Sequence, residues 1–207
     1  TEGILALGKK PVIFGGEHSI TSGAVAAIKD SLPKGSFSVL QIDAHSDLRD
    51  SYESTKHSHA SAMRRVRDHV STVVQVGIRS MCDEEAEYIS NEKISNQIFY
   101  AHNLNENRKE GKLNSKDVSA MVSQLTENVF VTVDIDGFDP SIVPGTGTPE
   151  PGGLYWEDVL GIMRELSQNR NVVGFDIVEV LPSPPLRTSE FVAAKLAYKM
   201  MGLFWSK

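Results

Sequence analysis

The chain has 207 residues, 27 acidic and 21 basic side chains and a formal net charge of −6, with 40% hydrophobic and 23% charged positions. This is the composition of one ordinary soluble domain, and a chain of this length buries about 70% of the surface its unfolded form exposes without needing disulfides. Scattered rather than clustered lysines and arginines argue against a nucleic-acid or anionic-membrane partner, and the absence of a signal peptide or of an apolar run near ~18–20 residues points to the cytoplasm.

In chain order, residues 12–14, 37–42, 73–78, 98–100, 129–135 and 172–180 form short apolar runs rich in β-branched side chains. Near-continuous runs of this kind suit strands buried on both faces, as in a parallel sheet. Between them, residues 22–28, 59–70, 114–126, 155–168 and 187–202 have helical spacing, with Asn114-Ser115 and Thr188-Ser189 as candidate helix starts. Strands alternating with helices imply right-handed crossovers and a three-layer α/β/α sandwich around a mostly parallel sheet. Two connections are long. Residues 46–58 are polar and glycine-free, and residues 137–153 hold four prolines and five glycines; loops of that length in a compact α/β domain are functional or disordered. The single cysteine, Cys82, lies in the acidic stretch Met81-Cys82-Asp83-Glu84-Glu85 and is given a structural or incidental role.

Ligands of open parallel sheets bind at the carboxyl ends of the strands, and the chemistry-bearing residues gather there. The first run ends in Gly15-Gly16-Glu17-His18-Ser19, the second in Asp43-Ala44-His45-Ser46-Asp47, and the fifth in Asp134-Ile135-Asp136. At spacing two, Asp43 and His45 share one side if the backbone stays extended. A lone aspartate at a strand end reads equally well as a helix cap or a turn residue. Four aspartates and two histidines together do not, because unpaired buried carboxylates cost several kcal/mol each and Arg49 is the only cationic residue nearby. Metal ions are the economical neutralisers. Oxygen-dominated ligation with some imidazole favours Mn²⁺ over Zn²⁺, and six ligands suit two ions sharing bridging carboxylates.

These three motifs, the third extending through Gly137-Phe138-Asp139-Pro140, resemble in sequence and order the metal motifs of the ureohydrolases, the family of arginases, agmatinases and formimidoylglutamases. The resemblance continues through residues 145–154 and 174–180 and covers the chain from Pro11 onward. It implies the arginase-like sandwich, one Mn²⁺ held by His18, Asp43, Asp47 and Asp134, and a second held by Asp43, His45, Asp134 and Asp136, with Asp43 and Asp134 bridging. A hydroxide shared by the two ions would attack the guanidinium carbon, and the intermediate would collapse to urea and an amine. His59 resembles the family histidine that passes a proton to the leaving amine, a task suited to an imidazole near its free pKa of about 6.5. His57 is its rival, though the downstream Arg64-Arg65 favours His59, and an exposed loop histidine is the plain alternative. Glu179 resembles the glutamate that pairs with the substrate guanidinium; its plain alternative is a carboxylate that caps a loop. The family also implies a homotrimer or homohexamer, and a further strand and helices preceding the first motif, which are expected to lie before Thr1.

For substrate, arginases carry an asparagine where this chain has Arg49 and an aspartate where it has Ser80, whereas Ser58-His59-Ala60 with Met63-Arg64-Arg65 looks like agmatinases. The expected reaction is therefore agmatine to urea and putrescine. Asp50, Glu53 and Glu150 are candidates for the distal amine of that dication. Arg49 fits it less well and would suit an acidic tail, as in guanidinobutyrate or formimidoylglutamate, unless it pairs with Asp50 or Glu53. Glu17 is expected beside the ligands rather than among them. Two other classes remain open: a non-catalytic family member, which would lose ligands, and a two-metal phosphoesterase, which would place basic phosphate clamps near the metals instead of Glu179.

Overall fold

The computed structural model describes residues 1–182 and 184–206. Helix α1 (Glu2–Ala6) precedes strand β1 (Val12–Phe14), and α2 (Ile20–Asp30) leads to β2 (Phe37–Ile42). A 3-10 turn at His59–Ser61 opens α3 (Ala62–Arg67), followed by β3 (Val73–Ile78), α4 (Asp83–Asn91), β4 (Ile98–Tyr100), α5 (Ala101–Glu106) and α6 (Ser115–Ser123). The chain closes with β5 (Asn128–Asp134), α7 (Trp156–Asn169), β6 (Asn171–Val178) and α8 (Thr188–Trp205).

The six strands form one fully parallel sheet in the order β1-β6-β5-β2-β3-β4. Strand alternation decides which layer each side chain joins. In β2, Phe37 and Val39 pack with Val25 and Ile28 of α2 and Met63 and Val66 of α3, whereas Leu40 and Ile42 pack with Met121 of α6, Met163 of α7 and Leu196 of α8. Because β2 is buried on both faces, its apolar run is unbroken except for Ser38 and Gln41. Among the described residues no helix is long and apolar enough to cross a membrane.

The order of the strands locates the cleft. From β2 the chain moves outward to β3 and β4; from its neighbour β5 it moves the other way to β6. The connections that follow these two strands therefore diverge, leaving a crevice at their carboxyl ends, the usual ligand position in open α/β sheets. The backbone approaches unusually closely there. Gly77 in β3 has φ +95, and a Cβ on it would lie 2.9 Å from the Asp43 carbonyl oxygen; one on Gly137 would lie 2.8 Å from the Asp43 nitrogen.

Several elements differ from the sequence reading. Strand β5 stops at Asp134 and β6 at Val178, where Glu179 takes a left-handed φ of 62. Residues 59–70 divide into the 3-10 turn and the shorter α3. Asn114 caps α6 as expected, its side chain accepting the Lys116 amide at 3.0 Å. The start of α8 is not capped by Thr188 or Ser189: the residue before it is Arg187 at φ 53, and the Ser189 hydroxyl instead accepts the Gly145 amide at 2.7 Å, fastening the 137–153 loop. Helices α1, α4 and α5 are additional; α4 buries only Glu85 and Ile89, too little apolar surface to show a period.

Replacing Gly77 with alanine adds a Cβ at a left-handed φ and against the Asp43 backbone. We expect Gly77→Ala to lower unfolding free energy in urea by about 2–4 kcal/mol, while Gly8→Ala, left-handed but in open space, costs only about 1–2 kcal/mol.

Candidate metal centre

The six predicted ligands converge. His18 Nδ1, fully buried, lies 3.1 Å from Asp43 Oδ2, 3.0 Å from Asp47 Oδ2 and 3.3 Å from Asp134 Oδ2. His45 Nδ1 lies 3.1 Å from Asp136 Oδ2 and 3.6 Å from Asp43 Oδ1. One oxygen of Asp43 thus faces each imidazole, and the candidate ligand atoms form two groups that share it: His18, Asp43 and Asp47, and Asp43, His45 and Asp136, each with its atoms within 4.8 Å of one another. Asp134 contributes Oδ2 on the His18 side, while its Oδ1 accepts the Asp136 amide at 3.0 Å.

Local structure explains how each side chain reaches the centre. Asp43 directly follows β2; the chain bends at Ala44, where Asp43 Oδ1 accepts the His45 amide at 2.6 Å, and His45 then bridges Ser80. Asp134 instead caps a 3-10 turn at Ile135–Gly137, and Asp136 is the middle residue of that turn. Asp47 adopts a left-handed φ of 54, and the residues on both sides of it are held by one carboxylate: Glu85 Oε1 accepts the Ser46 hydroxyl at 2.6 Å and the Leu48 amide at 2.8 Å. Glu85 is only 4% exposed, and its Oε2 accepts the Cys82 amide at the start of α4. Gln75 donates to the Gln41 side chain at 2.5 Å and to the Ser46 carbonyl at 2.7 Å, and Gln41 donates to Asp43 Oδ2 at 2.6 Å. The Arg79 guanidinium donates to the carbonyls of Gly77, Asp136, Gly137, Phe138 and Glu150 at 2.7–3.4 Å, which clamps the 137–153 loop beneath the centre. From that loop Thr148 donates to Asp136 Oδ2 at 3.0 Å.

The electrostatics test whether this set suits a cation. Burial, with the Asp43 charge beside it, pushes the Asp47 carboxyl up to about 7. Burial and the neighbouring acids also raise Asp134 and Asp136. Asp43 is held well below the usual carboxylate range because contacts from His18 and His45 outweigh its burial. Desolvation of His45 is likewise outweighed by Asp136 and Asp43, which raise it to about 11, and His18 is raised in the same way. Two imidazoles cannot neutralise four crowded carboxylates. His18 Nδ1, although close to three carboxylate oxygens, has no hydrogen bond of acceptable geometry. A buried nitrogen aimed at converging oxygens without bonding to any is the arrangement of a metal donor set.

The centre forms the floor of a cleft of about 440 Å³ whose walls include Glu17, Arg49, Tyr52, His59, Cys82 and Glu179. Glu179 reaches it from its left-handed turn, with Oε1 accepting the His18 amide at 2.8 Å; burial raises its carboxyl. His59 is half-exposed at the rim, 3.9 Å from Glu17 Oε2 and edge-on to Tyr52 at 5.6 Å between ring centres. His57, the rival, is exposed and does not line the cleft. Arg49 does line it, pairing with neither Asp50 nor Glu53: its Nε lies 4.0 Å from Glu85 Oε2 and its guanidinium covers the Tyr52 ring at 5.2 Å. Asp50 is not among the lining residues and pairs with Lys56 and Arg65, both at 3.2 Å. Glu150 also lies outside the lining, and its main-chain carbonyl is held by Arg79. Glu17 hydrogen-bonds Ser19, not the candidate ligands.

Sequence reasoning does not find Glu85, Gln41, Gln75, Arg79 or Tyr52. A signal existed for the two glutamines, polar interruptions of otherwise apolar strands, and for Glu85 in its spacing of three from the helix-starting Cys82.

Residues 1–202 match the arginase family. The chain is 43% identical over 200 residues to an N(1)-aminopropylagmatine ureohydrolase of Synechocystis sp., covering 97% of this chain and 62% of that protein. It is 36% identical over 193 residues to an agmatinase of Pyrococcus horikoshii, covering 93% of this chain and 62% of the relative. Among solved structures, the agmatine ureohydrolase of Thermoplasma volcanium superposes with a TM-score of 0.81 at 34% identity, covering 98% of this chain and 64% of its own. The chain thus spans a little under two thirds of the length of these relatives. With that match extending over residues 1–202, the chain belongs to the arginase family.

Proposed function

We propose that the protein hydrolyses the guanidinium group of a linear guanidine with a cationic tail, with agmatine as substrate and urea and putrescine as products. One observation carries this: Glu179 lines a single acidic cleft with His45, Asp47 and Asp134 of the Asp-His cluster, and among the described residues the one lysine or arginine lining it, Arg49, lies against Glu85 and Tyr52. A substrate carboxylate would find no free cation there among the described residues, whereas a substrate amine would find Glu17 at the rim.

His18, Asp43, Asp47 and Asp134 would hold one divalent ion and Asp43, His45, Asp134 and Asp136 the other; the oxygen-rich set favours Mn²⁺. When bound, such ions would lower the pKa of a coordinated water and so supply a nucleophile at near-neutral pH. Glu179 fixes the flat guanidinium by paired charge-assisted hydrogen bonds, so that its carbon faces the metal floor. His59, steadied by Glu17, delivers a proton to the departing amine nitrogen, whose C–N bond breaks as urea forms. The Arg49–Tyr52 stack closes one wall and keeps the tail extended toward the rim. A second reading, an N(1)-aminopropyl extension of the same tail, is favoured by the 43% identity to the Synechocystis sp. protein of that activity.

Calorimetric titration of the metal-free protein with Mn²⁺ is expected to give two ions per chain. Asp43→Asn, which alters the residue facing both groups, should weaken both; His45→Asn should weaken one and spare the other, and a single site in the wild type would refute the two-ion assignment.

Urea release from the full-length, Mn²⁺-loaded protein is expected with agmatine or N(1)-aminopropylagmatine. It is not expected with arginine or guanidinobutyrate, nor is formamide with formimidoylglutamate. Product from an acidic substrate alone would overturn the cationic-tail assignment. Glu179→Gln should lower kcat/KM by about 100-fold or more through lost guanidinium alignment.

Because Arg49 is committed to Glu85, Arg49→Met should leave KM for agmatine within about threefold, a loss below 1 kcal/mol. A KM that falls more than tenfold would identify Arg49 as a repulsive element against the substrate amine.

A further inference from the structure

One buried carboxylate takes no part in the chemistry above. Asp176 lies in β6, fully buried, three positions before Glu179, and it faces α2 rather than the cleft. Its Oδ2 accepts the Thr21 hydroxyl at 2.8 Å, and its Oδ1 has no aligned partner. Burial raises its carboxyl, against the His18 charge, the two threonine hydroxyls and the Val133 amide, which favour the ionised form; Thr132 is its cross-strand partner in β5. Thr132 Oγ1 lies 3.4 Å from Thr21 Oγ1 and, on its other side, 2.8 Å from His18 Nε2. Asp176, Thr132 and His18 thus form a chain running from α2 to the metal centre.

The protons along this chain can be placed from donor and acceptor capacity alone. An ionised carboxylate only accepts, a hydroxyl has one proton to give, and a neutral imidazole carries one N–H. The Thr21 hydroxyl gives its proton to Asp176, and in this arrangement the Thr132 hydroxyl, directly across the β5–β6 pair from Asp176, turns its own proton toward that carboxylate rather than toward His18. The Thr132 oxygen is then left as an acceptor toward His18, which places the imidazole proton on Nε2. The lone pair falls on Nδ1, the atom lying among Asp43, Asp47 and Asp134. Carboxylate partners that set the tautomer of a metal-binding histidine are usually in direct contact with the ring; here a hydroxyl intervenes.

We propose that Asp176, acting through Thr132, is a positioning residue that sets the His18 tautomer and so tunes one of the two metal positions. This rests on the metal-centre assignment made above. In Asp176→Asn, nearly isosteric, the amide NH₂ can donate to Thr132, whose proton is then free for His18 Nε2, and the ring proton moves to the metal-facing Nδ1.

The test is calorimetric titration of the full-length, metal-free protein with Mn²⁺, run on the wild type, Asp176→Asn, Thr132→Val, Thr132→Ser and the double variant Asp176→Asn/Thr132→Val. Asp176→Asn and Thr132→Val should each weaken one ion by about 10–100-fold and leave the other within about threefold. Thr132→Ser should retain both affinities, and the double variant should be no worse than Thr132→Val, since the carboxylate acts through that hydroxyl. In the Zn²⁺-loaded protein, a diamagnetic probe, ¹⁵N shifts should report His18 bound through Nδ1 in the wild type and that signature lost in Asp176→Asn. Unchanged affinities in Asp176→Asn, equal losses at both ions, or losses that add in the double variant would overturn the relay. Should Asp176→Asn fail to fold, Thr132→Val against Thr132→Ser decides alone: normal binding of both ions by Thr132→Val refutes it. A wild type that binds no Mn²⁺ would overturn the metal centre and the relay with it.

Discussion

Four carboxylates packed around two imidazoles at the carboxyl ends of β2 and β5 are the constraint that the rest of the molecule accommodates. Like charges this close repel strongly when desolvated, and no arrangement of apolar neighbours relieves them. The fold supplies relief in two ways. Dipoles are aimed at the oxygens: Gln41 and the His45 amide at Asp43, the Ala44 amide and Thr148 at Asp136. The geometry left over, with His18 Nδ1 among three oxygens and hydrogen-bonded to none of them, is that of a donor set for cations.

Rigidity around this centre comes from groups that hold its main chain and not its candidate ligand atoms. Glu85 spans the gap between the loop after β2 and the start of α4, so α4 is oriented by the same carboxylate that shapes the turn carrying Asp47. Arg79, at the end of β3, gathers main-chain carbonyls from β3, the turn after β5 and the 137–153 loop. Burial lowers its guanidinium, an effect the nearby acids Asp136 and Asp43 offset only in part, and its hydrogen bonds rivet three segments together. Two glycines, Gly77 and Gly137, let strand and turn press directly on the Asp43 backbone. The ligands are thus held by main chain that is itself immobilised.

Much of this is legible in the sequence, for identifiable reasons. Parallel strands buried on both faces leave long apolar runs, so all six strands can be located to within a residue or two. Metal ligands at strand ends are polar residues where apolar ones are expected, and their ordered spacing sets them apart. What escapes is whatever depends on tertiary partners. Glu85 sits in an acidic run that resembles a solvated helix face, yet it is buried because Ser46 and Leu48 come to meet it. Asp50 and Glu150 look like free acids in a functional loop, but one is claimed by Lys56 and Arg65 and the other turns only its carbonyl to Arg79. Arg49 looks available to substrate, and its engagement with Glu85 joins residues thirty-six positions apart, a separation no local pattern encodes.

The left-handed backbone at Asp47 and Glu179 has a consequence for how such a chain evolves. Each is a non-glycine residue in a region that costs of order 1–3 kcal/mol, and each points a carboxylate into the cleft. Glycine or asparagine would occupy either position more comfortably, so drift under selection for foldability alone would erode both acids. Their strained conformation leaves the chain less stable than its scaffold could be. The same scaffold, freed of that demand, has an easy route to a sturdier and inert descendant.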